Sequence, residues 1–385
     1  MTEKRAAERE IFTPAQGFAL LFGAQFLGIG AMMPFLPAIL AEGGLSAAQV
    51  GMVLALGSLV RLVAAPLSGR MADRVPDVRR LLALAALLAA VTAAGFGLLA
   101  GFALLLAVQL VHSVCMAPVV PLSDALAVGA MQRDGAGFDY ARVRSVGSIT
   151  FMLGAMAAGF AAGWAGPGIA AGILVAGLLV TAWAALLLPA SPPRSGSARG
   201  SLWAPLAEPG FRRILPIAAL IQGSHAVYYA FSTLHWQAAG LGTGFIGLLW
   251  ALGVLAEVAL FLHGRRFVER LGLSGLVLLA AGAGVLRWSV TAVTTEPAIL
   301  LLVQLLHGAT FGAMHLALIR ALVALPAELS GRAQTLAASA IGAATGALMW
   351  LGGGLYAGLG GGAFLAMALL CAIAAALGWR ISRAS

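Results

Sequence analysis

Long apolar runs alternate with short polar breaks along the whole chain. Twelve runs are legible, at 14–40, 46–68, 81–99, 102–126, 143–164, 168–188, 212–238, 243–263, 273–293, 298–323, 333–356 and 361–380. About twenty residues at 1.5 Å rise cross the ~30 Å hydrocarbon layer of a bilayer. Within that layer a helix satisfies its own backbone hydrogen bonds, so each run predicts a transmembrane helix. The pattern therefore predicts an all-α membrane protein of twelve spans. A Pro- and Ser-containing stretch from Pro189 to Pro209 divides the runs into six and six. The expected organisation is a six-helix bundle over 1–188, a linker over 189–211 and a second six-helix bundle over 212–385.

Composition sharpens the picture by exclusion. The 385 residues are 61% hydrophobic and 10% charged, against roughly a quarter charged in a soluble domain. Fifty glycines and abundant alanine suit close helix–helix approach in lipid. The net charge of +9 lies in the breaks between runs, with no groove-reading motif, so a nucleic-acid partner is not expected. Cys115 and Cys371 fall inside predicted helices, which argues against a disulfide or metal framework. The short charged segment Met1–Thr13 precedes a full span, so no cleavable leader is expected.

Placing the charges on the runs predicts orientation. With both termini cytoplasmic, the inner segments hold Lys4, Arg5 and Arg9; Arg70, Arg74, Arg79 and Arg80; Arg133, Arg142 and Arg144; and Arg194, Arg199, Arg212 and Arg213. In the second half they hold Arg265, Arg266 and Arg270; Arg320 and Arg332; and Arg380 and Arg383. The outer turns around Glu42, Gly101, Gly166, Gly242, Glu296 and Gly360 hold none, and of the 23 Lys and Arg only Arg61 and Arg287 remain, inside runs. Adding or dropping a span would destroy this segregation.

The halves echo each other. Gly69-Arg70-Met71-Ala72-Asp73-Arg74, continuing to Arg79-Arg80, follows the second run; Arg265-Arg266-Phe267-Val268-Glu269-Arg270 follows the eighth. Asp73-Arg74 overlays Glu269-Arg270 without gaps, as expected of a duplicated six-helix unit with a substrate site between the halves.

On these residues the chain resembles the major facilitator superfamily, departing from its usual loop pattern at Pro76-Asp77. Pro121-Leu-Ser-Asp124, Tyr140-Ala-Arg142-Val-Arg144-Ser-Val-Gly147-Ser148, and His225 through Trp236 with Gly247-Leu-Leu-Trp250 and Glu257 resemble the phenylpropionic acid transporter family. That family lies near the lactose permease and nucleoside symporter branch. The resemblance implies proton-coupled symport of a small organic solute, such as an aromatic acid, across a bacterial inner membrane. It implies a monomer without cofactor or metal. Sugar or nucleoside symport and proton-driven efflux of hydrophobic compounds stay open beside it. A membrane-embedded enzyme or receptor is a third class. Neither a Walker A sequence nor His-Glu-x-x-His is present, which disfavours ATP-driven or metalloprotease chemistry.

Ionisable groups at membrane depth are costly, so each is a site candidate. Glu257 lies mid-run, where a carboxyl group could load a proton on one side and release it on the other; its alternative is a static pair with Arg287 or a hydrogen-bonded acid. Arg287 could bind an anionic substrate, hold Glu257 or form a permanent bridge. The lactose permease resemblance supports coupling, since an acid on helix eight and an Arg on helix nine occur there. His307 and His315, eight residues apart, are candidates for proton shuttling and substrate contact respectively, with packing as the alternative for each.

His225, Tyr228 and Tyr229 share a helical face and could stack on an aromatic acid. Arg144 matches an Arg of the resembling permease that takes part in substrate binding, while Arg142 reads as an anchor. Gln25 and His112 could line the first half of a cavity. Gly69, Asp73, Arg74, Arg79 and Arg80, with Asp124 and Arg142, form a candidate cytoplasmic gate. Arg61 is expected to snorkel to the inner interface or pair with Asp124. Pro34, Pro37, Pro118 and Pro121 permit bends in the first and fourth runs.

Overall fold

The computed structural model describes residues 12–133, 139–188 and 201–382. Lys4, Arg5 and Arg9, the linker residues 189–200 with Arg194 and Arg199, and Arg383 lie outside the described residues. Every regular element among the described residues is helical. Eleven stretches are long and apolar enough to cross a membrane. The last, Ala327–Trp379, is 53 residues long and contains two helices, α14 (Ala327–Leu359) and α15 (Ala363–Ser382). Gly360 parts them with a φ of 53°, which a side chain would resist.

Capping residues mark several helix starts, and several helices outrun their apolar stretch. Helix α1 (Pro14–Glu42) opens on a capping box: the Thr13 hydroxyl accepts from the Gln16 amide, and the Gln16 side chain accepts from the Thr13 amide. Ser46 and Gln49 repeat the device for α2 (Ala47–Ala72). Helix α3 (Val78–Leu98) is capped by Asp77, so Arg79 and Arg80 lie in its first turn rather than in a loop.

Three predicted runs are interrupted. The fourth divides into α4 (Phe102–Met116) and α5 (Val119–Arg133) at Pro118, which has no amide to donate. After α6 (Tyr140–Ala165) and α7 (Ile169–Leu187), the seventh divides into α8 (Pro209–Gly223) and α9 (Ala226–Ala238) at Ser224-His225. Helix α10 (Thr243–His263) is continuous, whereas α11 (Arg265–Val293) bends at Gly272. The tenth run contains α12 (Pro297–His307), a π-helical turn over Gly308–Gly312, and α13 (Ala313–Val323). The breaks at Ser224-His225 and Gly308–Gly312 flank the polar centre described below.

One apolar core, from Phe18 to Leu188, lies wholly within α1–α7, and a second, from Phe211 to Ala374, wholly within α8–α15. A third spans both groups. The groups meet along two seams, α2 against α14 and α6 against α10. Small residues make these seams possible. A Cβ built on Gly51 would lie 2.9 Å from the Gly353 Cα, and one on Gly159 would lie 2.6 Å from the Thr243 carbonyl oxygen. The Thr233 hydroxyl also donates to the Pro34 carbonyl at 2.6 Å, joining α9 to α1. These contacts lie toward the cation-poor turns, and among the described residues no ion pair joins the two groups at the cation-rich ends.

Gly159→Val is therefore expected to wedge α6 from α10 and lower stability in detergent by about 1–3 kcal/mol. Gly172→Val, where a Cβ meets open space, is the matched control in a thermal-unfolding measurement. Equal midpoints for the two variants would remove the seam from the account.

Candidate functional site

The polar centre is built around Arg287. Helix α11 carries it, fully buried, next to the fully buried Trp288. One guanidinium nitrogen, Nη1, donates to His307 Nδ1 at 2.8 Å and to the Thr310 hydroxyl at 3.1 Å. The other, Nη2, donates to Gln304 Oε1 at 2.9 Å. Gln304, His307 and Thr310 recur every three residues through α12 and the π-helical turn, so one helix face presents three acceptors. The guanidinium lies 4.7 Å from the Tyr228 ring centroid and 4.6 Å from that of Trp288. Aromatic faces supply the negative potential that lipid does not. Trp288 is in turn held by its indole N–H, which donates to Ser224 Oγ at the break between α8 and α9.

The hydrogen bonds assign the His307 tautomer. Nδ1 accepts from Arg287, so the neutral ring carries its proton on Nε2. Nε2 lies 3.8 Å from Glu257 Oε2, just beyond direct hydrogen-bond length. The three residues form a chain across α11, α12 and α10, ending on a carboxyl group whose side chain is one-fifth exposed. Arg287 and Glu257 do not pair directly; the imidazole stands between them. Among the described residues no carboxylate lies within ion-pair distance of Arg287.

Glu257 and His307 face a cavity of about 270 Å³ between the two helix groups. Tyr228, Tyr229 and Trp250 line it from the second group, Phe26, Arg144 and Ser148 from the first. Trp250 and Tyr228 stack with centroids 4.6 Å apart. Arg144 lies 3.4 Å from Asp124 and 4.2 Å from the Phe26 centroid, and Asp124 also accepts from the Tyr140 hydroxyl at 2.9 Å. A second cavity, of about 190 Å³, adjoins the first through their shared Met33 and Tyr229. Arg61, Phe96, Gln109, His112 and Ser113 line its far wall.

The expected residues are thus sorted by packing. Glu257, Arg287, His307, Tyr228, Tyr229 and Arg144 converge on one centre, and His112 lines the adjoining cavity. Three do not line either cavity. His225 is sealed at the helix break, its Nδ1 donating to the Ile221 carbonyl and its Nε2 3.2 Å from the Thr310 hydroxyl. Gln25 is buried and accepts from Ser123. His315 stacks beside Phe311 and Phe261.

Arg61 neither snorkels nor pairs with Asp124, because Arg144 occupies that carboxylate and the α2 face bearing Leu54, Ser58 and Arg61 turns into the second cavity. Gln304, Thr310 and Gln109 carry no sequence expectation, and Trp250 enters there only within the family motif. The three-residue spacing of Gln304, His307 and Thr310 is the signal that marks two of them.

The candidate gate is only partly assembled. Asp73 and Arg74 are exposed and in no ion pair among the described residues, Gly69 faces open space, and Arg142 is exposed. Asp77 is the acid that acts here. It accepts from the Arg79 amide at 3.0 Å and pairs with the Arg79 guanidinium at 2.9 Å, and Arg80 approaches it at 3.5 Å. Arg79 also donates to the Leu188 carbonyl, tying the start of α3 to the end of α7.

The Arg79 hydrogen bond holds the Asp77 carboxyl below the usual carboxylate range. A depressed acid stabilises the fold above its ordinary pKa and loses that contribution as pH falls through the depressed value. Asp77→Ala is expected to lose about 1 kcal/mol, the value of a helix cap. It should also flatten the acid limb of a stability-versus-pH curve. An unchanged acid limb would show that the pair contributes nothing.

Two groups of membrane-length helices around a central cavity that holds ionisable groups define a membrane transporter fold. The structure superposes on that of the nucleoside transporter NupG with a TM-score of 0.80, at 16% identity, covering 97% of this chain and 99% of that one. It also superposes on the POT family transporter PepTSo with a TM-score of 0.74, at 13% identity, covering 96% and 98%. Residues 18–366 match the MFS_1 like family, and the chain belongs to it. It is 33% identical over 361 residues to the probable 3-phenylpropionic acid transporter of Escherichia coli (strain K12), covering 91% of this chain and 94% of that protein. It is 30% identical over 279 residues to the maltose permease of Geobacillus stearothermophilus, covering 70% and 69%. The protein is a multi-pass membrane transporter of a small molecule and not an enzyme.

Proposed function

We propose that the protein is a proton-coupled symporter of an aromatic or other small organic acid, working by alternating access. The carrying observation is the Arg287–His307–Glu257 chain, which ends on a cavity-facing carboxyl group. Arg287 fixes a positive charge behind His307 and keeps the imidazole proton directed at Glu257. Glu257 then exchanges a proton with the cavity, and its charge state changes the field felt by an anion bound there. The similarity to a transporter named for 3-phenylpropionic acid supports an aromatic acid as substrate. The ring-rich wall of Tyr228, Tyr229 and Trp250 supports the same reading.

In this reading α1–α7 and α8–α15 are the two rocking units, 1–188 and 212–385, and Gly360 divides the final stretch into the eleventh and twelfth spans. Both termini are cytoplasmic in a bacterial inner membrane, as the charge segregation implies. The cation-poor seams are then the closed outer side, and the Gly69–Arg80 loop is a latch that engages when the inner side shuts. The protein works as a monomer without cofactor.

Reconstitution in liposomes tests this. A pH gradient, acid outside, should drive accumulation of labelled 3-phenylpropionate, and adding that acid without a gradient should alkalinise the side it leaves. An absence of proton movement with every aromatic acid tried would reject the symport reading.

A further inference from the structure

We infer that Arg61 is the anchor for the substrate's carboxylate, and that the second cavity is an anion subsite for a monocarboxylate with an apolar body. The inference rests on the proposed organic-acid reading and deepens it. Arg287 is fully enclosed, with Nη1 given to His307 and Thr310, Nη2 given to Gln304 and Nε sealed in without a partner, so no ligand in the cavities reaches it. Arg144 reaches the first cavity but lies 3.4 Å from Asp124, which already offsets its charge. Arg61 lines the second cavity, is exposed to it, and among the described residues has neither a hydrogen bond nor an ion pair. Facing a cavity and unpaired, this guanidinium is free to meet an anion there, as Arg144 and Arg287 are not.

Its surroundings specify the anion. Leu54, Ser58 and Arg61 lie four and three residues apart on one face of α2, so all three side chains meet the same space. Across from them α4 supplies Gln109, His112 and Ser113. The two helices approach closely at Gly57, where a Cβ would collide with Gln109 and Ser113.

His112 Nδ1 is occupied by the Ala89 carbonyl at 3.1 Å and the Thr92 hydroxyl at 3.0 Å, which leaves Nε2 for the cavity. Gln109 Oε1 is buried without a partner. Among the described residues the wall thus offers one cation and several neutral polar groups, and no carboxylate lines it. The remaining lining is methionine, leucine and isoleucine side chains with Pro37 and the Phe96 and Tyr229 rings. A planar carboxylate fits the guanidinium fork, and an aryl or alkyl body fits the rest. Tyr229 and Met33 border both cavities, so a ligand held at Arg61 extends its apolar end toward Glu257.

Binding of two probes to the purified, detergent-solubilised full chain tests this: 3-phenylpropionate and its uncharged isostere 3-phenylpropanamide. Wild type is expected to prefer the acid. Arg61→Gln should weaken acid binding about 10- to 100-fold, the loss of a charge-assisted hydrogen-bond pair, and leave amide binding unchanged. Arg61→Lys, which keeps the charge but not the fork, should fall between them, and it guards against a folding defect in the Gln variant. An unaltered preference for acid over amide in Arg61→Gln would overturn the anchor while leaving the symport reading standing. Equal weakening of both probes would also overturn it. A wild type that binds neither probe would reject the aromatic-acid reading itself, and the anchor with it.

Discussion

Glu257→Gln is expected to abolish proton-driven accumulation while leaving exchange of substrate across the membrane intact. The size of the effect follows from linkage. One proton moving with one monoanion sustains a substrate ratio that grows tenfold per pH unit, so a gradient of two units should hold about a hundredfold accumulation in wild type. Glutamine preserves the shape of the side chain and its capacity to hydrogen-bond, but it does not titrate. Its accumulation ratio should fall to about one, and its exchange rate should lose the pH dependence expected of wild type. The measurement pairs a gradient-driven uptake assay with counterflow in the same proteoliposomes. Full accumulation by Glu257→Gln would remove the residue from the coupling mechanism. Failure of both assays would point to the fold rather than to proton transfer.

The second large effect is at His307, where two substitutions separate structure from coupling. His307→Ala removes the acceptor that Arg287 reaches at 2.8 Å. It leaves part of a fully buried guanidinium unmatched, which should destabilise the protein by about 2–4 kcal/mol. His307→Asn keeps an acceptor near the position of Nδ1 but has nothing that extends to Glu257. It should therefore unfold close to the wild-type temperature and yet lose gradient-driven uptake. Thermal unfolding in detergent and uptake in liposomes give the two readouts. If His307→Asn accumulates substrate as wild type does, the imidazole is only packing and Glu257 exchanges its proton directly with the cavity. If His307→Ala is as stable as wild type, Arg287 does not depend on this contact.

Much of this architecture is written in one dimension. The apolar runs locate the helices because the bilayer sets a length and a polarity that each segment meets by itself. The cap residues Thr13, Ser46 and Asp77 are equally local, although hydropathy alone hides them: α3 starts at Val78, ahead of its apolar run, because Asp77 caps it there. The breaks were half visible. Pro118 announces the one between α4 and α5, whereas the break at Ser224-His225 and the π-helical turn carry no such residue and arise where side chains of other helices take the polar groups.

The site divides along the same line. Glu257, Arg287 and His307 were recognisable as candidates because any ionisable group in an apolar run is anomalous. Whether they touch depends on how α10, α11 and α12 are rotated about their axes, and hydrophobic periodicity constrains that rotation poorly when a helix is apolar on every side. This is why the imidazole between acid and guanidinium was not foreseen, and why His225, placed with Tyr228 and Tyr229 by spacing, proved to be sealed at a helix break.

The sequence alone determined which segments are apolar helices and to which ends of them the positive charge is confined, since both follow from segment composition and from neighbours along the chain. Only the tertiary structure decided which arginine is available. Arg61, Arg144 and Arg287 are chemically the same group. One is turned into a cavity, one is met by Asp124 and one is enclosed by His307, Gln304 and Thr310. Their difference lies wholly in the partners that packing brings from other helices.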